Sequence, residues 1–134
     1  MSTATYRSFV TAMIGLAPTG ITVLSQPPVA VVTTMPVMWP MLPSGNTAIA
    51  TFQASEQSGL QAVDLYVAVE AVAQNRPSAN YDAVITAMDA LETALRALTV
   101  TAAYALSWAM RAATIRVAEH DYWGLIATVT RNSV

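Results

Sequence analysis

The stretch Val63-Asp64-Leu65-Tyr66-Val67-Ala68-Val69-Glu70-Ala71 decides how this chain folds. Val63, Leu65, Val67, Val69 and Ala71 alternate with Asp64, Tyr66, Ala68 and Glu70. Successive side chains of an extended backbone point to opposite faces, so this alternation predicts a strand with one face buried and the other exposed. Ten residues on, the period changes. Tyr81, Val84, Ile85, Met88, Leu91, Leu95 and Leu98 recur at intervals of three and four, the stripe of a helix of about five turns. Arg76-Pro77-Ser78 separates the two elements; Ser78 or Asn80 can cap the helix, and Asp82 suits its positive end. Glu92 and Arg96 are spaced to pair on its polar side.

Working towards the N-terminus, Tyr6, Phe9, Val10, Met13 and Ile14 make a second helical stripe, with Ser2 as a possible cap and Pro18 and Gly20 as its end. Residues 21–25 read as a short β-branched strand before Pro27-Pro28. Residues 29–39 are rich in Val and Thr, but Pro36 cannot donate to a ladder, so their second half is expected at a sheet edge or outside the sheet. From 40 to 61 periodicity is lost, and the segment reads as a long loop or extended arm. Working towards the C-terminus, residues 101–107, 110–118 and 122–131 read as strands. Glu119-His120-Asp121 is the expected hairpin tip, and Trp123, Leu125, Ala127 and Val129 mark a buried face. Arg111 and Arg116, of opposite parity, are expected on opposite faces of one strand. Together these elements predict an α+β fold: one mixed or mainly antiparallel sheet with two helices packed on one face, in a single domain over 1–134 with an extended arm over about 36–61.

Composition narrows the function. Only 10% of the 134 residues are charged, 54% are hydrophobic, and mean hydropathy is +0.46, against about 25% charged in an average soluble domain. So little charge implies a surface covered by a membrane or by partners. Six prolines between residues 18 and 43 break the charge-free span before about 20 apolar residues accumulate, and residues 97–110 are too few to cross a bilayer. The first residues lack the charge pattern of a secretory signal. A product made in the cytoplasm is expected. There is no cysteine and no lysine, and net charge is −2, which disfavours a surface gripping nucleic acid through many phosphates.

Chemistry is sparse. His120 is the one histidine, and its neighbours Glu119 and Asp121 cannot converge with it in a tight turn to hold a metal. No phosphate-cradling or nucleophile-elbow motif is present. Asp82, Asp89 and Glu92 read as the solvated side of a helix. No catalytic, cofactor or metal residue is therefore assigned, and an enzyme is not expected. The segment that stands out is Met35-Pro36-Val37-Met38-Trp39-Pro40-Met41-Leu42-Pro43. Met and Trp favour interfaces, and proline pre-orders an arm. Met35, Met38, Trp39, Met41 and Leu42 are the candidate interface residues; the alternative is that they fold back over the domain's own core.

In layout the chain resembles the small tail-terminator and tail-to-head joining proteins of long-tailed bacteriophages, the minor tail protein U-like group. The features are a Tyr6-Arg7 helix, the proline-rich stretch from Pro27-Pro28 to Pro43, the alternating strand 63–71, the helix 81–98, a strand near Trp108 and a closing hairpin ending Asp121-Tyr122-Trp123-Gly124. The resemblance implies a virion structural protein forming a homo-oligomeric ring, a hexamer, on the head-proximal end of the tail tube. Such a ring stops tube polymerisation and contacts the tail tube protein and the head connector, while DNA passes through its lumen without specific binding. It implies no cofactor. A neck, head-completion or tail tube subunit fits the same features. From a different class, so does a small domain binding an apolar ligand between sheet and helices; it would stay monomeric and gain stability with ligand.

Overall fold

The structure is a computed structural model that describes residues 6–30, 35–49, 57–71, 77–101 and 106–132. The alternating stretch is the centre of the molecule. It belongs to strand β4 (Gln57–Ala71), one of six strands: β1 (Thr22–Val23), β2 (Val37–Pro40), β3 (Ser44–Ile49), β5 (Leu106–Val117) and β6 (His120–Asn132). The strands form one mixed sheet in the order β1-β2-β4-β6-β5, with β3 also paired to β4. Among the described residues, β1 and β2 run parallel and every other strand pair is antiparallel. Helices α1 (Tyr6–Ile14) and α2 (Pro77–Thr101) complete the α+β fold.

Alternation sorts the strand residues into two faces, but the face expected to be exposed is covered as well: Ala68 is fully buried, and Asp64, Tyr66 and Glu70 are half-buried. Val63, Leu65 and Val67 pair with Val129, Ala127 and Leu125. These six share one buried cluster with Phe9 and Met13 of α1, Ala87, Leu91 and Leu95 of α2, and Met38 of β2. Both helices thus contribute their stripes to the cluster that these alternate strand residues build, each fully buried Leu or Phe stabilising by about 2 kcal/mol. A second, smaller cluster holds residues of the other parity: Val37, Trp39, Ala68, Ile115, Val117 and Tyr122. Parallel pairing of β1 and β2 requires the chain between them to travel back along the sheet. Leu24 and Met35, near the two ends of that connection, both pack on this second cluster.

Where β4 meets β6, the register shifts between Ala68 and Glu70, leaving Val69 as an extra residue. Gly124 lies opposite Ala68 at this irregularity, and a Cβ there would collide with the Val67 carbonyl oxygen. The close approach of the two central strands requires a glycine.

Several sequence expectations are corrected. The segment 40–61 is not one loop, and the arm 36–61 is largely sheet: it carries β2, β3 and the first residues of β4. Ser44, Gly45, Asn46 and Thr47 are small or polar and gave no alternation, yet they complete their hydrogen bonds along β4. The part of the Val/Thr stretch after Pro36 is at an edge only in part: Val37 and Met38 lie between β1 and β4, whereas Trp39 runs beyond the two residues of β1; Pro36 precedes the strand and costs it no ladder bond. β1 has only two residues, and α1 stops at Ile14, before Pro18.

Helix α2 is longer than expected, 25 residues from Pro77. Proline suits a first helical turn, whose N–H groups lack intrahelical partners, so Ser78 and Asn80 lie inside the helix. Its end at Thr101 removes the strand expected from 101, and the two strands expected over 101–118 are the single strand β5. The hairpin turns on Ala118 and Glu119, with His120 already paired to Val117. Arg111 and Arg116 do face opposite sides of β5 by register. Ser2 and Arg76 lie outside the described residues. Among the described residues, no helix is long and apolar enough to cross a membrane.

Candidate functional site

Among the described residues, five of the six exposed large apolar side chains fall into two groups: Tyr81, Ile85 and Trp123 make one, and Tyr6 and Leu42 the other, while Val29 lines neither. Each group has a local structural cause.

The first group surrounds a groove. Helix α2 is held to the sheet over its second half, where Leu91 and Leu95 are fully buried and the Trp108 indole N–H donates to Glu92 Oε2. Towards its first half the sheet offers the small residues Ala112 and Ala113 on β5 and Gly124 on β6, with Trp123 beside them, and the space beneath the helix is only partly filled by Val84 and Met88. The result is an open cleft of about 490 Å³ between Tyr81, Val84, Ile85 and Met88 on one wall and Ala112, Ala113, Trp123 and Gly124 on the other. Among the described residues, its lining contains no charged side chain. Tyr81 is 69% exposed and Trp123 39%, so the residue expected to head the buried face of β6 is instead a groove wall.

The second group surrounds a projection. β2 and β3 pair with the same edge of β4, in line with each other: Pro40 lies opposite Leu65, and Ser44 opposite Ala62. Met41, Leu42 and Pro43 therefore span a gap that β4 crosses with Val63 and Asp64, and the surplus residue is pushed outwards. The Met41 N–H donates to the Asp64 carbonyl at 2.8 Å, pinning one side of the bulge, while Leu42 is 91% exposed. The Tyr6 ring of α1 lies over Gly45, where a Cβ would strike it. Tyr6, Arg7, Val10 and Ile14 of α1 face this segment across a second depression, of about 450 Å³, that also includes Ser25, Gln26 and Pro27.

Sequence reasoning singled out Met35, Met38, Trp39, Met41 and Leu42, and the structure divides them. Met38 and Trp39 are buried in opposite clusters, Trp39 being 2% exposed and tilted against Tyr66 with ring centroids 6.3 Å apart. These two cover the chain's own core and are out of a partner's reach. Met35 and Met41 are half-buried, and Leu42 alone is fully presented. The groove residues were missed as a surface because Tyr81, Val84, Ile85 and Met88 read as core.

No protein-family model, curated protein or solved structure matches this chain.

The polar groups fit structural roles. Glu92 Oε1 accepts from Arg96 at 3.3 Å, so this carboxylate bridges the helix's own next turn and β5. Arg116 reaches Asp121 at 3.5 Å across the hairpin, an exposed pair that contributes little. Arg131 is buried; its Nε donates to Gln61 Oε1 at 2.8 Å and its Nη2 to Ser8 Oγ at 3.0 Å. His120 is exposed beside the turn. Among the described residues, no three His, Asp or Glu side chains are grouped to hold a metal ion.

Proposed function

We propose that this chain is a virion structural subunit that assembles with copies of itself into a ring, as the tail terminators of long-tailed phages do, and that it has no catalytic role. One observation carries the reading: the same chain presents an apolar groove and, separately, a projecting apolar bulge. A ring of more than two identical subunits needs two different, complementary surfaces on each subunit, whereas a twofold dimer needs one self-complementary surface. The charge-poor composition supports the same reading, since a ring subunit also meets the tail tube on one side and the head connector on the other. A neck or head-completion subunit uses the same kind of contact.

The test is native mass spectrometry with negative-stain electron microscopy on the purified protein across a wide concentration range. Closed rings of one size, sixfold for a terminator, are expected. A second reading, a small domain that binds an apolar ligand, is favoured by the groove's volume, which lies within the range of about 300–1,000 Å³ typical of ligand sites. It requires a monomer whose melting temperature rises on adding ligand, with no assembly at any concentration.

A further inference from the structure

Resting on the assembly reading above, we propose that the groove between α2 and the β5–β6 hairpin receives the Met41-Leu42-Pro43 bulge of a second copy, with Arg7 of the partner subunit set against Asp82 and Asp89. The occupant follows from charge as well as shape. Asp82 and Asp89 are exposed and stand two helical turns apart on the outer side of Ile85, and α2 carries no basic residue before Arg96. Neither acid has an ion-pair partner among the described residues. On the sheet side of the groove, Arg116 is already matched by Asp121.

The bulge has the opposite character. Arg7 is the one charged residue lining the depression behind Leu42, no acid lies among those lining residues, and no ion pair engages Arg7 among the described residues. An apolar knob with Arg7 on one side, and with Asp64 beside it on β4 already accepting from Thr128 Oγ1, thus faces an apolar groove rimmed by two carboxylates, an arrangement in which Arg7 favours this pairing. The knob is also fixed in advance. Strand pairing on both sides and the Met41 hydrogen bond hold it, so little conformational entropy is lost on docking. Groove and knob share no residue, so each copy offers both at once and the contact is head-to-tail.

The experiment uses Leu42→Asp, which spoils the knob, and Ile85→Asp, which spoils the groove. Both positions are exposed, and unchanged circular dichroism and melting are checked first. By native mass spectrometry and sedimentation, each variant alone is expected to be monomeric under conditions where the unaltered protein assembles. Mixed one to one, they are expected to give a heterodimer and nothing larger, because one intact knob then meets one intact groove. Arg7→Glu and Asp82→Arg should each weaken assembly at least tenfold in midpoint concentration, and their combination in one chain should restore most of it. Assembly of the unaltered protein that survives both Leu42→Asp and Ile85→Asp overturns the docking while leaving the ring reading standing. An unaltered protein that stays monomeric at every concentration overturns both. A small apolar molecule that co-purifies with the monomer, and is lost in Ile85→Asp, assigns the groove to a ligand and likewise overturns the docking.

Discussion

The guanidinium of Arg131, near the end of β6, stacks over the ring of Phe9 in α1 at 4.5 Å from its centroid. The same side chain reaches Gln61 on β4 and Ser8 on α1, so one cation ties the first helix to the two central strands. Burial makes this tie sensitive to substitution. Arg131→Met keeps much of the volume but removes the donor to the buried Gln61 side chain and the cation–π contact, and is expected to cost about 2–3 kcal/mol. Arg131→Lys keeps the charge without the planar fork and should cost about 1–2 kcal/mol. Urea unfolding monitored by tryptophan fluorescence gives both values.

Trp108 and Glu92 hold the second half of α2 against β5. Trp108→Phe is expected to destabilise by about 1 kcal/mol through loss of the hydrogen bond to a charged acceptor. Glu92→Gln, which retains an acceptor oxygen, should cost less. A double-mutant cycle combining Trp108→Phe with Glu92→Ala is expected to return a coupling of about 1 kcal/mol; a coupling near zero would mean that the bond contributes nothing net.

Gly124 admits no side chain. In Gly124→Ala the methyl group meets the Val67 carbonyl, a backbone atom that cannot move without parting β4 from β6. We expect a loss of more than about 3 kcal/mol, in the range of severe overpacking, seen as a collapsed melting temperature or insoluble expression.

The turn joining β5 and β6 is built from two residues that dislike it. Ala118 and Glu119 both have positive φ, 50° and 65°, the conformation of a two-residue type I′ turn, for which Asn-Gly is the favoured pair. Replacing Ala118 with Asn and Glu119 with Gly together should stabilise the protein by about 1 kcal/mol, raising the melting temperature by about 4 °C. Calorimetry reads this directly.

Trp39 now carries a different expectation from the one its sequence context suggests. With its ring buried against Tyr66 and Val37, Trp39→Ser should cost about 3–5 kcal/mol and unfold much of the protein. Leu42→Ser should leave the stability within about 0.5 kcal/mol of the original. Circular dichroism of the two variants side by side separates core from surface.

What could be read in the sequence follows from where periodicity carries information. The strand around Val63–Val69 and the stripes of α1 and α2 announce themselves because one face of each is buried by large apolar residues. β3 does not, since it is sheet by virtue of its hydrogen bonds to β4 while offering Ser, Gly, Asn and Thr. β5 reads as two pieces because Ser107, Ala109, Ala112 and Ala113 blur the alternation along an edge. The groove is hidden for a related reason. Tyr81, Val84, Ile85 and Met88 look like core on a helix; Val84 and Met88 do pack on it, and only the tertiary fact that Ala112, Ala113 and Gly124 lie opposite leaves Tyr81 and Ile85 exposed. Leu42 was legible as an interface candidate, but what presents it is a mismatch in length between two paired edges, which no single-segment pattern encodes.

Strand order also sets a timetable for the newborn chain. β6 pairs with both β4 and β5, supplies Leu125, Ala127 and Val129 to the main core, and carries Arg131 back to α1. A ribosome-bound chain lacking residues beyond about 120 has a central strand with one side bare and an incomplete core, so folding waits for the last strand to leave the exit tunnel. Trp123 and Gly124 belong to that same strand. The groove therefore comes into existence only once β6 has paired, and whatever it receives meets a completed sheet.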